Sequence, residues 1–204
     1  MKRFDIINRL IESKGYKTYL EIGVRHKPDC FDRIKIQQRI GVDPDPEARA
    51  EYRMTSDEFF AINRNKFDII LIDGLHIDEQ VAKDIDNSLG VLNKGGAIVL
   101  HDCNPPTEFA QREVYEVNGE FPMWNGTTWK AWVNYRRSQT SSRYMNLTVD
   151  TDFGVGLILD IGTSEPLDII GEVEYNFLEE YRERLLNLIT IETFKEICDD
   201  ICVR

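Results

Sequence analysis

Thr18-Tyr-Leu-Glu-Ile-Gly23 is a short, mainly apolar run that contains an acidic residue near its end and closes on a glycine. Such a run predicts a buried β-strand that ends at Glu21 and Ile22. An acidic strand end before a loop and a helix is typical of the place where a doubly wound sheet binds a nucleotide-like ligand. We therefore treat this run as the first strand of an α/β sheet.

Further apolar runs alternate with amphipathic stretches along the chain. The runs predict strands at 39–42, 52–54, 67–72, 97–100, 144–150 and 155–160, and the stretches predict helices at 4–13, 31–36, 57–63, 77–89, 107–117 and 129–137. Regular alternation over the first half is typical of βαβ units and a parallel sheet. The last two strands leave no room for a crossover helix, so they should pair antiparallel.

Length and composition favour one domain with its own core. The chain has 204 residues, of which 42% are hydrophobic and 30% charged, and the net charge of −11 should repel nucleic acid. It contains no apolar run of the roughly 20 residues that a membrane span needs, and its start lacks the apolar part of a signal peptide, so we expect a cytoplasmic protein with no membrane partner. We expect a single domain over 1–204, a lid-like insert at about 104–140 and a helical tail at about 172–204. That tail could dock on the sheet or build a homodimer.

Acidic or polar residues follow four of the predicted strands: Glu21, Asp43, Asp73 and the pair His101-Asp102. One such acid can simply cap a helix, whereas four along one sheet edge favour a ligand site. Asp43, about twenty residues after Glu21, suits the acid that binds ribose hydroxyls, and Gly23 would let the backbone approach a ligand. No G-x-G-x-x-G motif follows the first strand, which disfavours a dinucleotide and leaves a nucleoside without phosphates.

Four motifs together resemble class I S-adenosylmethionine-dependent methyltransferases: Glu21-Ile-Gly23, Gly41-Val-Asp-Pro44, Phe67-Asp-Ile-Ile-Leu-Ile-Asp-Gly-Leu-His76 and Gly95-Gly-Ala-Ile-Val-Leu-His-Asp102. The Ile-Asp-Gly-x-His and His-Asp motifs are similar to a small bacterial subgroup. The resemblance covers about Tyr19 to Asp102, and segments 124–130 and 152–156 also look like that subgroup. It implies a doubly wound, mostly parallel, seven-stranded Rossmann-like sheet of order 3-2-1-4-5-7-6, with the last strand antiparallel.

The resemblance also implies roles for individual residues. Glu21 and Gly23 would lie beside the methionine part of S-adenosylmethionine, Asp43 would hold the ribose, and Asp73 would face the transferring methyl group. The positions expected near the adenine are Thr55, Ser56 and Asp57. Lys27 departs from the family, whose members usually have a glycine there, so the loop should be bulkier.

Methyl transfer requires in-line placement of the nucleophile and removal of a proton when the acceptor is a hydroxyl. Asp73, His76, His101 and Asp102 are the candidate catalytic residues, with an imidazole as the base. Alternatively Asp73, Asp102 and one histidine could bind Mg²⁺ or another divalent cation, or the histidines could merely cap turns. Related metal-dependent enzymes usually have an acid or amide at the position of Cys103.

We expect an S-adenosylmethionine-dependent methyltransferase that acts on oxygen of a small molecule or glycan precursor. The alternatives are a non-catalytic S-adenosylmethionine-binding or assembly module on this fold and a nucleotide-dependent dehydrogenase. Aromatic residues in 105–132, with all three tryptophans, could stack on a sugar or planar ring, form a satellite core or make a dimer contact.

Overall fold

The computed structural model describes residues 1–202. Its strands are Thr18–Ile22 (β1), Gln38–Val42 (β2), Phe67–Ile72 (β3), Leu92–Leu100 (β4), Met145–Val149 (β5), Val155–Leu159 (β6) and Leu188–Ile189 (β7). Its α-helices are Arg3–Lys14 (α1), Ser56–Ile62 (α2), Asp78–Val91 (α3), Thr128–Arg137 (α4), Tyr175–Leu186 (α5) and Ile191–Asp200 (α6).

All seven strands form one sheet in the order β2-β1-β3-β4-β6-β5-β7. The pairs β1–β2, β1–β3 and β3–β4 are parallel, and β6 runs antiparallel to both of its neighbours, β4 and β5. The predicted α/β fold, a doubly wound and mostly parallel sheet of seven strands with its last long strand antiparallel, is therefore confirmed.

One predicted strand is wrong. Within 52–54 only Tyr52 pairs, through a single parallel bridge to Val42, because a loop that carries two prolines brings the chain back beside β2 for one residue only. The seventh strand is instead β7, two residues that pair parallel with β5 at the opposite edge.

Apolar side chains cover both faces of the sheet, which is why β3 is apolar at almost every position. On one face, α2 and α3 contribute Phe59, Val81 and Ile85 to the core. On the other face, α1 contributes Ile6 and Leu10. The strand ends that carry the acids therefore belong to a rigid, doubly covered sheet.

Two further helix predictions change in the structure. Segments 31–36 and 107–117 contain only the short 3₁₀ turns Phe31–Arg33 and Glu108–Gln111. The predicted tail is divided into α5 and α6 by β7, and its last two positions, 203–204, lie outside the described residues. Helix α6 packs on α1 and buries Phe194, so the tail docks on its own chain, while the homodimer stays a prediction.

Between residues 1 and 202, no helix has the length and apolarity that crossing a membrane requires.

Candidate active site

A cavity of about 890 Å³ opens at the carboxyl ends of β1 to β4, which is where an open parallel sheet binds its ligands. Its volume suits a cofactor together with part of a second substrate. Nine of the residues predicted from the sequence line it: Gly23, Asp43, Thr55, Ser56, Asp57, Asp73, His76, His101 and Asp102. The structure thus brings the candidate cofactor and catalytic residues into one cavity.

Glu21 differs from the other predicted residues because its side chain is enclosed in the sheet. It is 1% exposed and accepts a hydrogen bond from the hydroxyl of Tyr19. Burial raises the pKa of Glu21 to about 8. Glu21 therefore does not line the cavity, and its contact with the methionine part of a cofactor stays a prediction.

Asp43 joins the loops that follow β1 and β2. One carboxylate oxygen accepts a hydrogen bond of 2.7 Å from the backbone N–H of Arg25, and the other accepts one of 2.8 Å from the N–H of Asp45. A carboxylate oxygen can accept two hydrogen bonds, so Asp43 retains acceptor capacity for the two hydroxyls of a ribose.

Gly23 is required by a contact within the protein, whereas the sequence suggested an approach to a ligand. Its φ is +86°, and a Cβ there would lie 2.2 Å from the carbonyl oxygen of Asp73. The close approach is therefore between the loop after β1 and the backbone of Asp73 and Gly74 rather than towards a ligand. This contact sets the distance between Gly23 and the catalytic candidates.

The three residues predicted near the adenine begin α2. Thr55 caps the helix in a reciprocal pair with Glu58. Ser56 and Asp57 accept hydrogen bonds of 3.1 Å and 3.0 Å from the side-chain amide of Gln80. This bonding fixes α2 against α3 at the rim of the cavity, and the adenine contact itself stays a prediction.

Asp73, His76, His101 and Asp102 form one polar cluster. Oδ1 of Asp73 lies 3.3 Å from Nε2 of His76 and 3.2 Å from Nδ1 of His101. Oδ2 of Asp102 lies 3.3 Å from Nδ1 of His76 and 3.1 Å from Nδ1 of His101. Two carboxylates therefore hold two imidazoles between them, which is more than the capping of turns requires.

The charges of this cluster support one another. Burial disfavours ionisation of Asp73, but His101, His76 and Arg3 outweigh it and hold the pKa of this carboxyl well below its usual range. Burial likewise disfavours the charged form of His101, yet Asp73 and Asp102 raise its pKa well above the ordinary value. His101 is therefore an imidazolium held among carboxylates.

Asp152 and Arg3 are not predicted as site residues, yet both belong to the cluster. Oδ2 of Asp152 lies 3.4 Å from Nε2 of His101, and Nε of Arg3 lies 2.9 Å from Oδ2 of Asp73. The only sequence signal at 152–156 is its resemblance to the subgroup. Arg3 carried no signal, because it precedes the first strand and reaches the site only through the packing of α1.

The segment between β4 and α4 closes over the cluster. The ring of Trp124 stacks on His76 at 4.9 Å, and the side-chain amide of Asn125 donates a hydrogen bond of 2.6 Å to Asp102. Trp129 and Trp132 are instead fully buried in the core. Of the three tryptophans, then, Trp124 forms part of the cavity wall.

The cluster also fits a divalent cation. Asp73, His76 and Asp102 offer ligand atoms that all lie within 4.8 Å of one another. Within residues 1–202, the side-chain oxygen of Asn125 has no hydrogen-bond partner although it is buried. An unpaired buried amide oxygen on a residue that contacts Asp102 suits a hard cation, and Cys103 offers no such oxygen.

Lys27 lies away from the cavity wall. Its ammonium contacts Glu51 at 2.5 Å and lies 4.8 Å from the centre of the Phe31 ring. The lysine side chain thus lies on the outside of the loop and takes no room from the cavity. The main argument for a non-catalytic module is thereby removed.

Comparison with known proteins agrees with this geometry. Residues 32–103 match a family described as a methyltransferase domain, while no curated protein matches the chain. A candidate caffeoyl-CoA O-methyltransferase from Staphylococcus aureus is similar in structure, with a TM-score of 0.53 and 15% sequence identity. The alignment covers 76% of this chain and 81% of that chain. An O-methyltransferase from Bacillus cereus in complex with SAH aligns with 12% identity over 77% of this chain and 80% of its own, with a TM-score of 0.52.

At these identities the structural likeness is one of fold, and it agrees with the resemblance in the sequence motifs. Residues 32–103 are thus similar to a methyltransferase domain, and the whole fold is similar to that of class I, S-adenosylmethionine-dependent methyltransferases.

Proposed function

We propose that this protein transfers the methyl group of S-adenosylmethionine to a hydroxyl oxygen of a small molecule or glycan precursor. The observation that carries the proposal is the cavity that joins Gly23 and Asp43 to the cluster of Asp73, His76 and Asp102. Asp43 suits the ribose of the cofactor, Gly23 lines the cavity between Asp43 and the cluster, and the cluster suits proton removal from an acceptor. A cytoplasmic location and a homodimer remain predictions.

The reaction needs little from the protein beyond placement and one proton acceptor. The acceptor oxygen attacks the methyl carbon, the bond from that carbon to sulfur breaks, and S-adenosylhomocysteine leaves as a neutral thioether. The hydroxyl proton passes to His76, whose ring lies between the carboxylates and the lid residue Trp124. Asp73 and Asp102 then stabilise the charge that His76 has gained.

His101 serves a different purpose in this proposal. Its nitrogens face Asp73, Asp102 and Asp152, and its side chain is 8% exposed. It is thus a buried cation that holds three carboxylates in place, and it positions Asp73 and Asp102 for His76.

A divalent cation, if bound, would be held by Asp73 and Asp102 together with His76, and it would lower the pKa of the acceptor hydroxyl. Carboxylate and amide oxygens suit Mg²⁺ or Mn²⁺, whereas imidazole also accepts softer ions. Activity after EDTA treatment, with and without added Mg²⁺ or Mn²⁺, distinguishes this arrangement from a metal-free one. Unchanged activity after chelation would remove the metal from the proposal.

Calorimetric titration with S-adenosylhomocysteine tests the cofactor. Wild type should bind at micromolar concentration, and Asp43→Ala should bind at least about tenfold more weakly because the ribose loses a charged partner. Equal affinity of the two proteins would show that the ribose assignment is wrong.

A panel of hydroxylated small molecules and sugars, with release of S-adenosylhomocysteine as the readout, tests catalysis. His76→Gln should lower kcat by about a hundredfold or more on an accepted compound and leave affinity for S-adenosylhomocysteine within about threefold. Binding of the cofactor with no turnover over the whole panel would favour the non-catalytic module.

A further inference from the structure

Arg3 is the first residue of α1, yet its side chain lines the same cavity as Gly23 and Asp73. The side chain is 20% exposed, and Nη1 lies 3.5 Å from Oδ2 of Asp152. The backbone N–H of Arg3 donates a hydrogen bond of 2.9 Å to the same carboxylate. Arg3 is therefore held beside Asp152 by both its backbone and its guanidinium.

Asp73 divides its two oxygens between two neighbourhoods. Oδ1 faces His76 and His101, whereas Oδ2 faces Nε of Arg3 at 2.9 Å. This last contact is an ion pair in which Nε is buried against Asp73, and within the described residues neither terminal nitrogen of Arg3 donates a hydrogen bond. The guanidinium thus keeps donor capacity that the protein itself does not use.

The sheet order determines which end of a cofactor meets Arg3. Strands β2 and β3 flank β1, so Asp43 and Asp73 follow the two strands on opposite sides of Gly23. A cofactor whose ribose binds Asp43 and whose methyl group faces the catalytic cluster must cross Gly23 towards Asp73. Its amino-acid end then lies on the side of the cavity that Arg3 and Asp73 share.

The negative charges on the Asp73 side of the cavity require a cation if a ligand carboxylate is to bind there. That side of the cavity already carries the carboxylates of Asp73 and Asp102, and Asp152 lies close behind them. A further carboxylate would be repelled there unless a cation received it, and the planar fork of a guanidinium matches a carboxylate in two parallel hydrogen bonds. An α-amino acid carries an ammonium beside its carboxylate, so the pair Asp73–Arg3 presents the complementary charges.

We propose that Arg3 binds the α-carboxylate of the cofactor's methionine part and that Oδ2 of Asp73 faces its ammonium group. This inference rests on the proposed function, because it requires S-adenosylmethionine in the cavity. It makes α1 part of the cofactor site and assigns a binding residue outside the sequence motifs of the sheet.

Arg25 is the other arginine in the cavity wall, and its guanidinium is engaged elsewhere. It donates a hydrogen bond of 2.7 Å to the hydroxyl of Tyr115 and lies 5.4 Å from the centre of that ring. Arg25 therefore connects the loop after β1 to the lid, and Arg3 is the better placed of the two beside Asp73.

The test compares S-adenosylmethionine with decarboxylated S-adenosylmethionine, which lacks only the carboxylate. Calorimetry on wild type should show the decarboxylated compound binding about ten- to a hundredfold more weakly. Arg3→Met should weaken S-adenosylmethionine by a similar factor and leave the decarboxylated compound within about twofold. Arg3→Lys, which keeps the charge and loses the fork, should fall between wild type and Arg3→Met.

Arg9→Met is the matched control, because Arg9 lies on the same helix and pairs with Asp199 away from the cavity. It should keep the wild-type preference for the carboxylate. Equal losses of both ligands in Arg3→Met and Arg3→Lys, or no loss of either, would overturn the assignment of Arg3 and leave the proposed function intact. Failure of wild type to bind either compound would instead overturn both proposals.

Discussion

Asp73 shows at the residue scale how one carboxylate serves several neighbours. Because its oxygens face the two histidines on one side and Arg3 on the other, removing Asp73 would take one ion pair from His101 and one from Arg3. The same sharing explains why Asp73 stays ionised although it is buried. A substitution at Asp73 would therefore report on folding as well as on catalysis.

The raised pKa of Glu21 predicts how the free energy of unfolding depends on pH. Its pKa is about 8 in the folded protein and about 4.5 without the fold, so between these values the folded state keeps a proton that the unfolded state releases. The stability that this bound proton contributes is full at pH values below the lower pKa and is lost as the pH rises through the higher pKa. Between the two, the free energy of unfolding falls by up to about 1.4 kcal/mol per pH unit.

Glu21→Gln should abolish that slope, because a neutral amide still accepts the hydrogen bond from Tyr19 and has no proton to lose. Urea unfolding at pH 5, 6, 7 and 8 gives the free energy of unfolding of wild type and variant, and the change of their difference with pH measures the slope. Glu79→Gln, at an exposed position of α3, is the matched control for the loss of one charge. The prediction would be contradicted if the difference in the free energy of unfolding between wild type and Glu21→Gln were the same at all four pH values.

At the scale of elements, the segment between β4 and α4 has little regular structure and depends on Arg112. The guanidinium of Arg112 donates hydrogen bonds of 2.7 to 3.0 Å to four backbone carbonyls of that segment, those of Phe109, Tyr115, Pro122 and Met123. One side chain thus holds together the loop that carries Trp124 over the cluster.

Arg112→Ala should loosen this lid without unfolding the core. Amide hydrogen exchange should become at least about tenfold faster at residues 109–124, because several charge-assisted bonds are lost at once, while β1, β3 and β4 should keep their protection. Arg64→Ala removes an arginine that also binds backbone carbonyls, but at the end of α2, and should leave the lid unchanged. Equal protection of residues 109–124 in Arg112→Ala and wild type would show that the lid is held by other contacts.

The docking of α6 gives the second prediction at this scale. Phe194 is fully buried where α6 meets α1, so Phe194→Ala should lower the free energy of unfolding by about 3 to 5 kcal/mol. Lys195→Ala, at the next and exposed position, is the control. Denaturant unfolding measures both, and a loss below about 1 kcal/mol for Phe194→Ala would mean that α6 does not depend on this contact.

At the scale of the whole molecule, ligand binding should stabilise the fold because the cavity is made by loops from four strands and the lid. S-adenosylhomocysteine at a hundredfold excess over its Kd should add about 2.7 kcal/mol and raise Tm by about 5 to 10 °C. NAD at the same concentration should give no shift, since the loop after β1 lacks the glycine fingerprint. A shift with NAD and none with S-adenosylhomocysteine would favour the dehydrogenase instead.

Much of the sheet edge could be predicted from residues alone. Asp43, Asp73 and His101 each follow a strand, and the carboxyl ends of parallel strands meet at one edge, so their proximity follows from the alternation of strands and helices. The short run at 52–54 was misassigned because three residues carry too little pattern to show whether they pair. Its pairing depends on how the proline loop folds back.

The sequence by itself determined six of the seven strands, their mixed direction and the acids along the sheet edge, because these depend on local patterns of apolar residues that repeat in order along the chain. Only the tertiary structure decided that Arg3 and Asp152 join Asp73 and His101, that Trp124 covers His76 and that Lys27 points away. Those contacts join residues far apart in sequence, and their distances depend on the packing of α1, the β5–β6 turn and the lid against the finished sheet. Short-range periodicity carries no record of such packing.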